Sequence, residues 1–170
     1  LELRYLLALL AEHYNAWRWL GWAVLPSAFL LAMAAPRAWP WPVAAYPREY
    51  RVLAAAPLAL LMLGWLWLAN IASDGSADPL PYLPLLNPLE LAQAAALVLL
   101  ARWLWSDAAP RALHGMRVTL LSIAGLAWIT AVTLRAVHHW GGIAWDDGLV
   151  SSSLAQTSLT VVWSLLGVVG

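Results

Sequence analysis

One short segment of the sequence concentrates the side chains that could carry out chemistry. Residues 135–147 read RAVHHWGGIAWDD, and the polar members are Arg135, His138, His139, Asp146 and Asp147. Histidine titrates near neutral pH, and together with a carboxylate it can relay protons or bind a metal ion. The glycine pair after the histidines allows the chain to turn sharply, which would bring an aspartate back toward a histidine. The segment is therefore a candidate binding or catalytic site.

The spacing within this segment argues against a metal site. His138 and His139 are adjacent, and adjacent residues on a helix point in different directions. Arg135 lies one helical turn before both histidines, and its long side chain can extend to a membrane interface. The alternative to a functional site is a solvated loop held by local hydrogen bonds. We predict neither a bound metal nor a cofactor.

A further candidate, Glu90, stands at the start of an apolar run in the sequence Asn87-Pro88-Leu89-Glu90. Asn is a favourable helix N-cap, Pro suits the first helical position, and Glu in the third position can accept a hydrogen bond from the cap backbone. Such a capping box would give Glu90 a structural role, and ligand binding or proton transfer is the alternative. Four more polar residues, Glu12, His13, Asp74 and Asp78, are predicted at the same end of the apolar runs as Glu90 and the histidines. A site there would require these separate segments to converge.

The composition indicates a chain that is solvated by lipid. Of the 170 residues, 63% are hydrophobic and only 11% are charged, whereas about a quarter of the residues in a typical soluble domain are charged. Nine basic residues balance nine acidic ones, so nothing favours nucleic-acid binding. Cysteine is absent, which excludes disulfides, thiolate metal sites and thiol catalysis.

Five apolar runs are each long enough, or nearly so, for the roughly 20 residues of a membrane-spanning helix. They cover approximately residues 16–35, 50–71, 88–105, 117–137 and 153–170. The runs are continuously apolar rather than alternating, which favours helices over the strands of a barrel. Residues 1–15 would form an interfacial helix or complete a preceding one. The predicted fold is an all-α polytopic transmembrane helical bundle of about five spans, one region within a fragment of a larger membrane protein.

The loops between these runs alternate in charge. Arg37 and Arg48 lie in loop 36–49, and Arg111 lies in loop 106–116, whereas loops 72–87 and 138–152 carry aspartates. Arginine is enriched in short cytoplasmic loops. We therefore expect loops 36–49 and 106–116 in the cytoplasm and loops 72–87 and 138–152 outside it, in a bacterial inner membrane.

Several stretches resemble a family of large predicted bacterial membrane proteins that is catalogued as a domain of unknown function. They are AEHYNAWRWLGWAVLPSAFLLAMA, PYLPLLNPLELAQ and HHWGGIAWDD, followed by SLAQTSLTVVWSLLG. The resemblance covers most of the chain. It implies a very long inner-membrane protein with many helices, in which the partners of this segment are the lipid bilayer and the remaining helices. It implies no activity, substrate or catalytic residue.

Three functions are compatible with these observations. The first is a structural or assembly module of a cell-envelope protein. The second is an envelope enzyme acting on a lipid-linked glycan at the outer face, where histidine, carboxylate and arginine would supply a base and neutralise phosphate. The third is a transporter, which is disfavoured because no span carries a central Asp, Glu or Lys.

Overall fold

The computed structural model describes residues 15–35, 39–107 and 109–169. Within these residues the chain is all-helical, with five α-helices and no strand. The helices are α1 (Asn15–Ala34), α2 (Ala55–Ala72), α3 (Pro88–Leu104), α4 (Arg117–Gly141) and α5 (Ser153–Val169). A π-helical segment (Glu49–Ala54) leads directly into α2, and a short 3₁₀ turn (Arg111–Leu113) precedes α4. The predicted all-α class is confirmed.

The helix ends follow from local sequence. Asn87 caps α3 by accepting a hydrogen bond from the Leu89 amide at 2.9 Å, and Pro88 occupies the first helical position, where its missing N–H costs nothing. Helix α4 ends because Gly142 adopts a left-handed conformation with φ of 67°, which closes the last turn by a bond from its amide to the His138 carbonyl. The predicted cap and the sharp glycine turn are both confirmed.

Pro57 lies in the first turn of α2, immediately after the π-helical segment. Proline clashes with the carbonyl four residues earlier and cannot donate a hydrogen bond to it. The wider π-helical turn relieves this conflict, so the helical path continues from Glu49 to Ala72. At the start of this path the Arg51 guanidinium donates to the Met33 carbonyl at the end of α1, which ties the loop between the two helices to α1.

The helices pack as neighbours along the chain and across it. Helix α1 contacts α2 and α3, α4 also contacts α2 and α3, and α5 packs on α4. Small residues fill the buried contacts, as is usual where helices approach closely in a membrane. The buried alanines include Ala16, Ala23, Ala55, Ala59, Ala69, Ala96, Ala124, Ala131 and Ala155. Larger core side chains, among them Met62, Leu66 and Leu89, are fully buried as well.

Large apolar side chains cover the outside of the bundle. Leu25, Leu60, Ile71 and Val168 are each more than two-thirds exposed, an arrangement that only lipid or another apolar surface would solvate well. Among the described residues, two helices are long and apolar enough to cross a membrane, Glu49–Ala72 and Arg117–Gly141.

The two ends of the bundle differ in charge. The Ala16 amide at the start of α1 donates to the Ser76 carbonyl, so α1 begins beside the loop between α2 and α3. We call this end, with residues 73–87 and 142–152, the Asp74 end. We call the opposite end, with residues 39–54, 105–107 and 109–117, the Arg51 end. There the Arg117 guanidinium lies over the Trp105 ring at 5.2 Å. The chain returns to the Asp74 end after α2 and α4, which brings the predicted acidic loops together.

Candidate functional site

Arg135 is completely buried between α2, α3 and α4, so the interpretation that its side chain extends to a membrane interface is wrong. Its Nε donates to the Ser73 carbonyl at 3.0 Å, and its Nη2 donates to the Ala69 carbonyl at 2.8 Å. These carbonyls lie at the C-terminus of α2, where the last turn lacks backbone donors and carries the negative end of the helix dipole. The guanidinium of α4 therefore caps the C-terminus of α2.

Glu90 is also completely buried, and its carboxylate does not complete the predicted capping box. The Asn87 amide donates instead to the Leu83 carbonyl at 2.9 Å. Glu90 Oε2 accepts from the Leu85 amide at 2.5 Å, and Glu90 Oε1 lies 3.9 Å from Arg135 Nη1. The carboxylate thus places negative charge at the N-terminus of α3, where the helix dipole favours it, and faces the cation that caps α2.

Tyr82, in the loop at the Asp74 end, completes the surroundings of the carboxylate. Its hydroxyl donates to Glu90 Oε1 at 2.6 Å, a length typical of a charge-assisted bond. Burial, followed by the adjacent Glu90 carboxylate, raises the pKa of the Tyr82 hydroxyl far above its ordinary value. Tyr82 is therefore a permanent donor near neutral pH and is not poised to act as a base.

Two amide side chains extend the cluster into the bundle. Arg135 Nη1 donates to Gln93 Oε1 at 3.2 Å, and Gln93 Nε2 donates to Asn70 Oδ1 at 2.9 Å. Gln93 is one turn after Glu90 on α3, and both it and Asn70 are buried. The Asn70 amide nitrogen has no hydrogen-bond partner among the described residues. The chain of bonds therefore ends on an unused donor.

The loop at the Asp74 end closes over this cluster because Gly75 allows a close approach. Gly75 has φ of 81°, and a Cβ atom on it would lie 2.9 Å from Arg135 Cδ. Asn87 Nδ2 donates to the Gly75 carbonyl at 2.6 Å, so the α3 cap also fixes the loop. Leu85 adopts φ of 67°, a left-handed conformation unfavourable for a residue with a Cβ, and its bond to Glu90 holds it there.

The two histidines point to different partners, as their adjacency on a helix requires. His138 Nδ1 lies 2.6 Å from the Ile143 carbonyl, a contact within the turn that follows α4. His139 Nε2 lies 3.0 Å from the Asp74 carbonyl, and the His139 ring stacks on the Tyr82 ring at 4.3 Å. His139 therefore joins the cluster through Tyr82, whereas His138 holds the local turn.

The two aspartates do not approach either histidine through a hydrogen bond within the described chain. The Asp146 carboxylate accepts from the Gly148 amide at 2.8 Å, which is a local turn of the kind that aspartate favours. Asp147 is exposed. Both residues lie beside α2 and α5, at one end of a groove that also contains Trp67 and Trp163. The turn at Gly142 brings Trp145, rather than an aspartate, against His138, with the two ring centroids 5.9 Å apart.

The predicted site therefore divides into two parts. Six residues form a hydrogen-bonded and stacked cluster that we call the Arg135 network, namely Arg135, Glu90, Gln93, Asn70, Tyr82 and His139. The aspartates lie outside it. Glu12 and His13, predicted on the same side, lie outside the described residues. Across residues 15–35, 39–107 and 109–169, no group of three or more His, Asp or Glu side chains could hold a metal ion.

Three network members were missed by the sequence reasoning, which relied on charged residues and histidines. Asn70 and Gln93 are polar side chains inside otherwise apolar runs. Polar groups at such positions need internal partners, so the sequence does indicate that both residues hydrogen-bond within the bundle. Tyr82 lies in a loop rich in Pro and Leu, and nothing in its spacing indicates contact with α3 or α4.

Comparison with known proteins agrees with the lipid-solvated composition and the apolar exterior. The model of a family described as predicted membrane protein (DUF2339) matches residues 1–170. The chain belongs to this family. No curated protein and no solved structure matches the chain. Membership of DUF2339 indicates association with a lipid bilayer, and the Arg135 network lies where α2, α3 and α4 meet.

The geometry of the network is better suited to holding α2, α3 and α4 together than to catalysis. Arg135 uses Nε, Nη1 and Nη2 on protein acceptors, and Glu90 is occupied by Tyr82, Leu85 and Arg135. A guanidinium that neutralises a substrate phosphate must instead offer free N–H groups on one open side. The charges of the network are thus satisfied by the fold itself.

Proposed function

We propose that this segment is a structural and assembly module of a larger cell-envelope protein, embedded in the bacterial inner membrane with loops 72–87 and 138–152 outside the cytoplasm. The observation that carries the proposal is that Arg135 caps α2 while its partner Glu90 occupies the N-terminus of α3. One ion pair thereby joins three helices and the loop between two of them. A rigid set of helices of this kind is what neighbouring helices of a long membrane protein would assemble against.

The charge distribution supports the proposed orientation. The Arg51 end carries Arg48, Arg51, Arg111 and Arg117 against Glu49 and Asp107, whereas the Asp74 end carries Asp74, Asp78, Asp146 and Asp147 against Arg18 in the first turn of α1. Arginine is retained on the cytoplasmic side of membrane proteins. Arg135, the one arginine near the Asp74 end of α4, is buried against carbonyl and carboxylate oxygens, so it does not weaken this distribution.

The alternative of an enzyme acting on a lipid-linked glycan is less well supported. It needs Glu90, Arg135 and a histidine to reach a substrate together. The first two are fully buried, and His139 is stacked on Tyr82 with its Nε2 against a backbone carbonyl. A transporter would need these groups to exchange partners during a cycle, and the network offers them several fixed partners at once.

Substitutions that separate fold from charge test the structural proposal. We would place Glu90→Gln and His139→Ala in the full-length protein in a host that lacks its own copy, and measure protein abundance and the envelope glycolipids. Gln at position 90 removes the charge and keeps one acceptor oxygen, for the Leu85 amide, while its NH2 group replaces the oxygen that accepts from the Tyr82 hydroxyl. Ser122→Ala, on an exposed surface of α4, serves as the control.

A structural module predicts that any change in glycolipids follows the loss of protein. A changed glycolipid profile at normal abundance of the Glu90→Gln protein would contradict the proposal and favour an enzyme. An unchanged profile at normal abundance in both variants supports the structural role.

A further inference from the structure

A groove of about 700 Å³ runs along the face of the bundle where α4 lies between α2 and α5. We call it the Trp67–Trp163 groove after the two tryptophans on its opposite walls. Its base is formed by small and aliphatic residues of α4, which include Ala127, Thr130 and Ala131. The Trp163 indole donates to Thr130 Oγ1 at 3.1 Å, which fixes the α5 wall against the base. The volume falls within the range of known small-molecule sites.

The length of the groove matches one leaflet of a bilayer. Its α4 residues extend from Ile123 to Leu134, and eleven steps at 1.5 Å give roughly 16 Å along the helix. Half of a typical hydrocarbon core is about 15 Å. A transmembrane helix of this length and about 10 Å in diameter would fill roughly 1,250 Å³, which exceeds the groove. An acyl chain that enters from the Asp74 end would reach the bilayer centre.

Two polar features at the Asp74 end of the groove indicate the headgroup. Asp146 and Asp147 lie at its mouth, and Asp147 makes no hydrogen bond within the described chain. Asn70 lies in the α2 wall, is only 8% exposed, and has an amide nitrogen without a partner among the described residues. Carboxylates at the mouth attract an ammonium group and repel an anionic one. The unused amide nitrogen is itself covered, so it donates to the ester carbonyl of a lipid once the Asn70 side chain turns into the groove.

From these observations we propose that the Trp67–Trp163 groove binds one phospholipid with a primary ammonium headgroup, from the leaflet at the Asp74 end. The acyl chain lies along Ala127 and Ala131, and the ammonium group meets Asp147. The proposal shares Asn70 with the Arg135 network, but Arg135, Glu90 and Gln93 do not line the groove, so lipid binding can be tested without removing the ion pair.

Competition between lipids tests the headgroup. The protein is reconstituted with equal amounts of ethanolamine and glycerol phospholipids that carry identical acyl chains, and the retained lipid is counted by native mass spectrometry. We expect one retained lipid per protein and a roughly threefold preference for the ethanolamine form, the order expected from one exposed ion pair. Asp147→Asn should abolish the preference, whereas Asp78→Asn, the same change in the loop of residues 73–87, should keep it.

Filling the groove tests the acyl site. Ala127→Phe should remove the retained lipid, and Ser122→Phe, an exposed position of the same helix outside the groove, should not. Because the chain has no cysteine, Leu126→Cys accepts a single photoreactive label inside the groove. A crosslink of phospholipid mass supports the proposal, even where Ala127→Phe fails to fold.

Three results would overturn it. These are equal retention of both headgroups by the unsubstituted protein, retention unchanged by a folded Ala127→Phe variant, or a crosslink from position 126 to a protein segment instead of a lipid.

Discussion

The guanidinium of Arg135 on α4 lies 3.9 Å from the carboxylate of Glu90 on α3, and both side chains are fully buried. At an effective dielectric constant near 20, the attraction at this distance is about 4 kcal/mol. The loss of hydration of both ions offsets much of this gain. The pair is therefore best understood as a constraint on geometry, in which each ion is held at the helix terminus whose dipole it complements.

Removing one member of the pair should cost more than removing both. Arg135→Met leaves the Glu90 carboxylate buried opposite an apolar group, and we expect a loss of about 3–5 kcal/mol in the free energy of unfolding. The double variant Arg135→Met/Glu90→Leu should recover part of this loss, since no buried charge remains. Unfolding in mixed micelles with increasing SDS measures each value. Strictly additive losses would show that the two residues are not coupled.

Arg135→Lys separates the charge from the shape of the guanidinium. Lysine keeps the positive charge but cannot direct planar donors at Ser73, Ala69 and Gln93 together. We therefore expect Arg135→Lys to be destabilised nearly as much as Arg135→Met, as measured by the same unfolding assay. Stability equal to that of the unsubstituted protein would mean that charge alone sustains the cluster.

The sequence predicts the helices well because their signals are local. Each helix is determined by residues within or next to it. Continuous apolar runs form the helices, Asn87-Pro88 begins α3, and the glycine pair at 141 and 142 ends α4. The same locality misled the interpretation of Arg135 and Glu90. An arginine near a helix end ordinarily extends to the interface, and a glutamate in the third position ordinarily serves the cap.

The partners of Arg135 and Glu90 depend on how α3 and α4 are rotated about their own axes. That rotation follows from the packing of alanines across α2, α3 and α4, which depends on contacts between residues far apart in sequence. The partners Asn70 and Gln93 were visible as polar residues in apolar runs, but their pairing was not. The position of Tyr82 depends on the fold of the loop of residues 73–87, which is closed by the bond from Asn87 to Gly75.

Three glycines allow backbone strain to be separated from a steric clash. Gly75→Ala introduces a side chain at positive φ and 2.9 Å from Arg135 Cδ, Gly142→Ala introduces it at positive φ in open space, and Gly125→Ala meets neither. We expect Gly142→Ala to cost about 1–2 kcal/mol and Gly75→Ala to cost more. Gly125→Ala should be neutral or stabilising by up to about 1 kcal/mol. Equal losses of stability in Gly75→Ala and Gly142→Ala would show that the contact with Arg135 Cδ contributes nothing.

Asn87 has two functions that different substitutions separate. Its side-chain oxygen caps α3, and its amide nitrogen holds the Gly75 carbonyl. Asn87→Asp keeps the cap and loses the second bond, whereas Asn87→Ala loses both. Loss of a cap costs about 1 kcal/mol, so Asn87→Ala should be the less stable by that order. If Asn87→Asp is as stable as the unsubstituted protein, the bond to Gly75 contributes nothing.

The raised pKa of Tyr82 predicts how the protein responds to alkali. The folded state holds the hydroxyl protonated, whereas in the unfolded chain tyrosine ionises near pH 10. Stability from this residue is therefore fully present below about pH 10 and decreases as the pH rises above it, because only the unfolded state gains from ionisation. Ultraviolet titration of tyrosinate from pH 8 to 11 should give the same amplitude for the unsubstituted protein and Tyr82→Phe. A smaller amplitude in Tyr82→Phe would mean that Tyr82 ionises in the folded protein and that its hydroxyl is not held by Glu90.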